Sequence, residues 1–566
     1  MTNQGIPPIE TLPQMLESAA RFAPLRGIAI FDRRGQNFER HSYTELLESA
    51  KDYAGRLSSL QILPGDRVLI SLPTTWNLLR LYFGTVFCGA YPTLISHTGS
   101  FGGGNTYAEK IAAIANLLSA KAIFCDASTR NELAQYAQHD AIKLTVLPEE
   151  LAKMSPLAGH VVYNPSPAEL AFIQLSSGST GRQRAIKISH ASACHNARAI
   201  GQALHCRPYL GMDTGVSWLP LNHDMGLVGC LFVSILHGFD LWLLRPETFL
   251  ARPKLWLQTL SERNATMTTA PNFAYQTCVE RIAAEELAGM NLSSLRALMT
   301  GAEIIRPETC HAFQEKFATA GLRESVFVPC YGMAEATLAV TFDTSNRGLR
   351  TMPLPQGSDF SGGLQTIVSN GKAIANTQIR ISVPARPTDI LADGAVGEIC
   401  VKGPGVFSGY YGETQEGDEV FHQEWLRTGD LGFLNNGELY LTGRCKDVLI
   451  IRGRNVMPNE MEWLAERELG GGGTERTCAF SIQGDSAGEQ AVLVVEVRQD
   501  LFDSLAILDR AIKEKIGAVL GLGIADLVFV KRGQIPKTTS GKVQRKELRQ
   551  RYLDGRIERL NAVSKE

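Results

Sequence analysis

The chain has 566 residues, 44% of them hydrophobic and 20% charged, which at ~100–200 residues per domain allows roughly three or four structural units around large cores. That mixture excludes a wholly disordered chain, a collagen-like repeat and a disulfide mini-scaffold. Fifty-six Lys and Arg against 58 Asp and Glu leave a formal charge of −2, so no global basic field recommends nucleic acid as a partner.

The opening MTNQGIPPIETLPQ lacks the charged-then-apolar plan of a signal peptide. Ser42 and Glu45 form a capping-box signature, and Leu46, Ala50, Tyr53, Leu57 and Leu60 follow at helical spacing. Pro64, Gly65 and Asp66 end that helix, and 68–72 reads as a short buried strand. A helix over about 76–88, a strand at 91–95, a further helix and a strand at 122–125 come next. The apolar runs 216–219, 241–244, 265–269, 295–299 and 325–328 are each separated by a helical stretch. Such alternation predicts an α/β fold with two parallel, helix-covered sheets. The longest uncharged apolar run, 225–239, is shorter than a membrane span and reads as a buried helix. From about residue 370 strands and glycine turns take over, at 378–383, 397–401 and 438–441. A last segment reads as a helix (459–469), strands (477–483, 491–497), a helix (504–520) and a strand (527–530), a small α+β domain bounded near 444–447. The glycine run 470–473 reads as a flexible loop. Eleven cysteines between Cys88 and Cys478 include no C-x-x-C pair, a pattern that suits reduced thiols in a soluble cytoplasmic protein.

The most informative stretch is Ser176, Ser177, Gly178, Ser179, Thr180 and Gly181, followed by Arg182, Gln183 and Arg184. Small residues let backbone N–H groups approach phosphate oxygens, and the hydroxyls and arginines add donors. It is not a Walker A loop, since no Lys-Ser/Thr follows the second glycine. On composition alone a solvated Ser/Gly linker is the stronger reading. His190 and His195 lack metal-ligand companions and read as packing residues. The G-x-S-x-G match at 484–488 lies between two strands and reads as a hairpin turn rather than a nucleophile elbow.

Further motifs follow in a fixed order: Tyr331-Gly332-Met333-Ala334-Glu335, Thr428-Gly429-Asp430, Gly443-Arg444-Cys445-Lys446-Asp447 and Pro536-Lys537-Thr538-Thr539-Ser540-Gly541-Lys542. With the loop Ser177, Gly178, Ser179, Thr180 and Gly181, these resemble the phosphate loop, aromatic-Gly-x-x-Glu segment, ribose turn, hinge and catalytic-lysine loop of the adenylate-forming (acyl-activating, ANL) enzyme superfamily. Within it, Trp218-Leu219-Pro220 with His223-Asp224-Met225-Gly226, then Ala270-Pro271-Asn272-Phe273-Ala274-Tyr275, then YGMAEATL at 331–338, resemble the fatty acyl-AMP ligases. The stretch between Phe342 and Gln365 sits where that subfamily carries an insertion, associated there with restraining the small domain so that acyl-AMP is not passed to coenzyme A.

The resemblance implies a large adenylation domain (1–443, β-rich from about 370), a hinge (444–447) pivoting at Lys446 and a small mobile domain (448–566). It implies ATP as substrate, Mg²⁺, a fatty acid, and a stand-alone acyl carrier protein or the carrier domain of a polyketide or peptide synthase as acceptor. By the same resemblance, Ser177 to Gly181 would hold the β- and γ-phosphates, and Glu335 with Thr180 the Mg²⁺. Lys542 would lie between carboxylate and α-phosphate, Asp430 would accept from the ribose hydroxyls, and Arg444 would reach ribose or phosphate. Tyr331, leading Gly332 and Met333, would stack on adenine opposite Gly301, Ala302 and Glu303. His223, Asp224, Met225, Gly226 and Asn272 would wall the acyl pocket.

Three departures bear on rate and substrate geometry. Where the superfamily usually has Pro-Lys-Gly, this chain has Gln183-Arg184-Ala185, and Leu175 and Asn222 replace aromatics. Lys531, Arg532, Lys537, Arg545, Lys546, Arg549 and Arg551 make the C-terminal end basic, either a docking patch for an acidic carrier protein or a solvated helix face. The competing readings are an acyl-CoA ligase, an amino-acid-activating enzyme with Asp224 on the substrate ammonium, and a weakly catalytic acyl-AMP-binding regulator.

Overall fold

The computed structural model describes residues 8–97, 107–134, 144–177, 183–344, 348–355, 366–412, 420–451, 454–469, 477–483, 489–537 and 543–560. Strands Thr214–Ser217, Asp240–Leu243, Met267–Ala270, Ala297–Thr300 and Phe327–Gly332 lie parallel, with Gly27–Phe31 joining the outer edge of Asp240–Leu243. Nearly every residue of these strands is buried, which is why they read as unbroken apolar runs rather than alternating ones. A second parallel sheet orders Tyr91–Leu94, Arg67–Ser71, Ala122–Cys125 and Thr145–Val146. Both predicted layers are therefore present. The Ser42–Glu45 capping box is also formed, at the head of helix Tyr43–Ser59.

The hairpin Gly27–Phe31/Phe38–Ser42 has no clear signal in the sequence. Its outer strand is largely exposed and carries Glu39, Arg40 and His41, a charged edge with no apolar alternation. The run 225–239 is not one α-helix: Met225–Phe232 is a π-helix, followed by the α-turns Val233–His237 and a left-handed Gly238 at φ 66°. Length and hydrophobicity do not distinguish the two helix types, but π-helical segments gather at functional walls.

Past Phe327–Gly332 the same sheet turns antiparallel through Ala339–Phe342, Ile367–Ala373, Glu438–Arg444, Trp425–Asn435, Gly397–Lys402 and Gln378–Val383. Leu449–Ile451, Arg454–Val456, Thr477–Gln483, Glu489–Val497 and Ile524–Lys531 form a separate sheet. Helices Pro458–Glu468 and Leu505–Leu520 bury Met461, Leu464, Ile512 and Ile516 against it. Each such side chain stabilises by about 1.5–3 kcal/mol when fully buried.

This C-terminal unit is clasped to the rest. Arg306 pairs with the buried Glu466 and lies 5.0 Å over the Trp463 ring. Trp463 packs on Ile367, Phe433 and Tyr440 together with Met352 and Leu354, two residues of the 342–365 stretch. The exposed Arg467–Glu308 pair at 3.1 Å adds little. All eleven cysteines are free thiols, and no helix among the described residues is long and apolar enough to cross a membrane.

Two buried histidines make stability pH-dependent. Leu12 N–H donates to His190 Nδ1 at 3.2 Å, which only a neutral ring accepts. Burial pushes His190 and His237 down to about 4, with Glu169 pulling His190 back weakly. The unfolded rings titrate near 6.5, so between pH 6.5 and 4 the unfolded chain binds more protons. The stabilisation is complete above about pH 6.5 and is lost as pH falls to 4, by up to about 3 kcal/mol per ring. Denaturant midpoints at pH 7 and pH 5 should show a smaller drop for His190→Asn than for the parent chain. An equal drop would mean the ring titrates normally.

Candidate active site

A cleft of about 1880 Å³ opens between the large sheet and the C-terminal unit. The hairpin Leu170–Ser177/Gln183–Ser189 forms one lip, with Ser176 and Gln183 on the lining. Residues Gly178, Ser179, Thr180 and Gly181, and the side chain of Ser177, lie outside the described residues, as does Lys542. The residues flanking that lysine loop are described: Lys537 and Val543 form an isolated antiparallel bridge, and both line the cleft.

Strand Phe327–Gly332 delivers Tyr331, Gly332 and Met333 to the cleft floor, and the 3-10 turn Ala334–Ala336 presents Glu335. A Cβ on Gly332 would sit 1.8 Å from the Leu338 carbonyl, so the returning strand can approach only a glycine. Burial raises the Glu335 carboxyl above its ordinary range, opposed by the Tyr410 hydroxyl, which donates to Oε1 at 3.1 Å, and by Arg444. Asp430, on Trp425–Asn435, faces Arg444 across the ladder. Arg444 Nε lies 2.9 Å from Asp430 Oδ1, and the Tyr331 hydroxyl donates to Oδ2 at 2.8 Å. The charge of Asp430 holds the Arg444 guanidinium above its ordinary range, although its side chain is 56% exposed. Lys446, on the turn Cys445–Asp447, also lines the cleft.

Gly301, Ala302 and Glu303 follow strand Ala297–Thr300. Ala302 holds a left-handed φ of 70°, and Glu303 accepts from Phe273 N–H at 3.2 Å. Both Ala302 and Glu303 line the cleft, whereas Gly301 packs beneath, where a Cβ would meet the Cys330 carbonyl at 2.7 Å. His223 Nδ1 lies 2.7 Å from Asp224 Oδ1, which also accepts from Met225 N–H at 2.8 Å. His223, Asp224 and Met225 line the cleft. Gly226 does not; it lies against the Pro220 carbonyl. Asn272 departs from the expected pocket wall: buried, it donates to the Ile304 carbonyl at 2.9 Å and so supports the Gly301–Glu303 segment from behind. Apolar lining comes from two sides, Ile95, Ile111, Ile114 and Leu175 on one, Met225 and Leu338 on the other.

Sequence reading missed Tyr410 and Arg306, both on the lining. Tyr410 sits in SGYYG, which looks like any turn, and Arg306 has no motif at all. The C-terminal basic row is not one free face either. Arg545 is spent on Glu462 and the Ala479 carbonyl, Arg549 Nε donates to the Ser481 carbonyl at 2.8 Å, and Arg551 pairs with Glu547 at 2.9 Å. Spacing along a helix does not reveal which charges turn inward. Among the described residues no three His, Cys, Asp or Glu side chains converge as a metal cage.

The family described as AMP-binding enzyme matches residues 16–411. A Caulobacter vibrioides protein with a provisional acyl-CoA synthetase name is 31% identical, covering 96% of each chain. The medium-chain-fatty-acid–[acyl-carrier-protein] ligase JamA of Moorena producens is 29% identical over 98% of this chain and 97% of its own. A solved fatty acyl-adenylate ligase, from work on the E. coli and L. pneumophila enzymes, superposes with a TM-score of 0.86 at 31% identity, over 96% of this chain and 98% of its own.

Proposed function

The chain belongs to the AMP-binding enzyme family, and from that premise we propose that it is a fatty acyl-AMP ligase delivering its acyl group to the pantetheine thiol of a carrier protein. The observation that carries this reading is the cleft itself. Glu335, Asp430 and Arg444 meet there on one wall, and Lys537 and Val543, flanking Lys542, line the other. A fatty carboxylate attacks the α-phosphorus of ATP in line, the bond to the bridging oxygen breaks, and pyrophosphate leaves with acyl-AMP retained. Both reactants are anionic, so the protein's work is positioning and neutralising negative charge.

Residues 177–181 hold the outer phosphates, Asp430 accepts from the ribose, and Tyr331 with Ala302 and Glu303 flanks the base. Lys542 meets charge that grows in the transition state. Glu335 and Thr180 would hold Mg²⁺, which supplies charge neutralisation across the phosphate oxygens. The site fits it: burial disfavours the ionised Glu335 carboxyl, a penalty a divalent cation would remove. The chain divides at 444–447 into a large domain and a small one that swings about Lys446. Trp463 of the small domain shares an apolar cluster with Met352 and Leu354 of the 342–365 stretch, which supports that stretch as a restraint against transfer to coenzyme A. Eleven free thiols support a cytoplasmic setting.

The test is pyrophosphate release over C4–C18 fatty acids, aryl acids and amino acids, with and without coenzyme A. Fatty acids should give acyl-AMP and, with a pantetheinylated carrier protein, the acyl thioester of that protein with release of AMP. Efficient acyl-CoA formation would overturn the acceptor assignment, and turnover confined to amino acids would overturn the substrate class.

A further inference from the structure

The hairpin Leu170–Ser177/Gln183–Ser189 is a sheet of its own, and Glu335 sits on a turn that follows a strand of the large sheet, yet one segment joins them. Residues 407–411 run along strand Gln183–Ser189: Tyr411 N–H donates to the Ala185 carbonyl at 2.7 Å, Lys187 N–H to the Gly409 carbonyl at 3.2 Å, and Tyr410 bridges Ile186. At its other end Phe407 N–H donates to the Glu335 carbonyl at 2.8 Å. The segment therefore hydrogen-bonds to both sides and carries one side chain between them.

That side chain is Tyr410. The residue is 3% exposed, its ring packed edge-on against Phe407 at 4.9 Å. The Arg184 guanidinium lies 4.8 Å over the ring, and its Nη1 donates to the Tyr410 hydroxyl at 3.4 Å. The hydroxyl in turn donates to Glu335 Oε1 at 3.1 Å. A cation on one side of the phenol and a carboxylate on the other polarise the O–H in one direction, so each bond strengthens the next. Arg184 is also the position at which this chain departs from the lysine usual in the superfamily. A planar guanidinium can stack on the ring and direct a donor to its oxygen together, which an ammonium does poorly.

We infer that Tyr410 is a positioning residue that couples strand Gln183–Ser189 to Glu335, and that Arg184 fixes the ring from that strand. The inference rests on the proposed nucleotide site. In this role Tyr410 acts through Glu335: its hydroxyl sets the direction of one carboxylate oxygen, as outer partners of metal-binding carboxylates do. The other oxygen would then be left to the metal–nucleotide complex.

Calorimetric titration of the full chain with ATP, in excess Mg²⁺ and separately in EDTA, tests this. Parent protein should bind ATP more tightly with Mg²⁺. Tyr410→Phe keeps the ring and its packing and should lose about tenfold in Mg·ATP affinity, with ATP affinity in EDTA unchanged. Arg184→Lys should lose about threefold, and the double variant should be no weaker than Tyr410→Phe alone, because arginine acts through the tyrosine. Tyr410→Phe with an undiminished Mg²⁺ effect, or strictly additive losses in the double variant, overturns the coupling while leaving the nucleotide site intact. A parent chain whose ATP binding ignores Mg²⁺ overturns the proposed site itself. Melting curves confirm folding; if Tyr410→Phe unfolds, Arg184→Lys is read by the same criterion, a loss with Mg²⁺ and none in EDTA supporting the coupling and an equal loss in both overturning it.

Discussion

Lys542→Ala should cut acid-dependent pyrophosphate release by about 10²–10³-fold, the usual loss when a donor aimed at growing charge is removed. The fall should appear in kcat with little change in the apparent KM for ATP, since the contact strengthens only as the α-phosphorus is attacked. Val543, the next residue, bridges Lys537 on the cleft wall, so the tether is short. Steady-state pyrophosphate assays with Lys542→Arg as a second variant check the point. A Lys542→Ala rate within tenfold of the parent would remove the lysine from the chemistry.

Asp430→Ala carries the other large effect, on binding and folding together. Asp430 is 5% exposed and accepts from Tyr331 while facing Arg444. Removing it leaves the buried Tyr331 hydroxyl without its acceptor, about 1–3 kcal/mol of stability. It also removes the proposed ribose acceptor, so ATP affinity should fall about 10²-fold, in line with the loss of a charged hydrogen-bonding partner. Asp430→Asn separates the two effects: an amide oxygen can still accept from Tyr331, so stability should largely return while nucleotide binding stays weak. Denaturant midpoints and nucleotide titrations on both variants read this out. Unchanged ATP affinity in Asp430→Ala would place the ribose elsewhere.

The parallel sheets were legible because their strands are buried on both faces and so appear as apolar blocks between helical stretches. The hairpin 27–42 was not, because an exposed, charged edge strand carries no such block. The large motifs converge on one cleft, where strand register holds Tyr331, Asp430 and Arg444 and the turn Ala334–Ala336 presents Glu335. Asn272 shows the limit. A motif gives proximity in sequence, but whether the side chain faces the cavity or supports its wall depends on how helix Asn272–Arg281 meets the 301–304 segment. Tyr410 lay beyond reach for a similar reason: its role depends on a long-range pairing between 407–411 and 183–189 that no local pattern encodes.

The Asp430–Arg444 pair has a consequence for timing. Arg444 is the last residue of its strand, and the turn Cys445–Asp447 begins immediately after it. A ribose that takes the Asp430 oxygens competes with the guanidinium for them, which loosens the strand end from which the C-terminal unit departs. Linkage is reciprocal: whichever orientation of that unit weakens the pair tightens the nucleotide by the same factor. Nucleotide occupancy and the posture of that unit would thus be two readings of a single equilibrium.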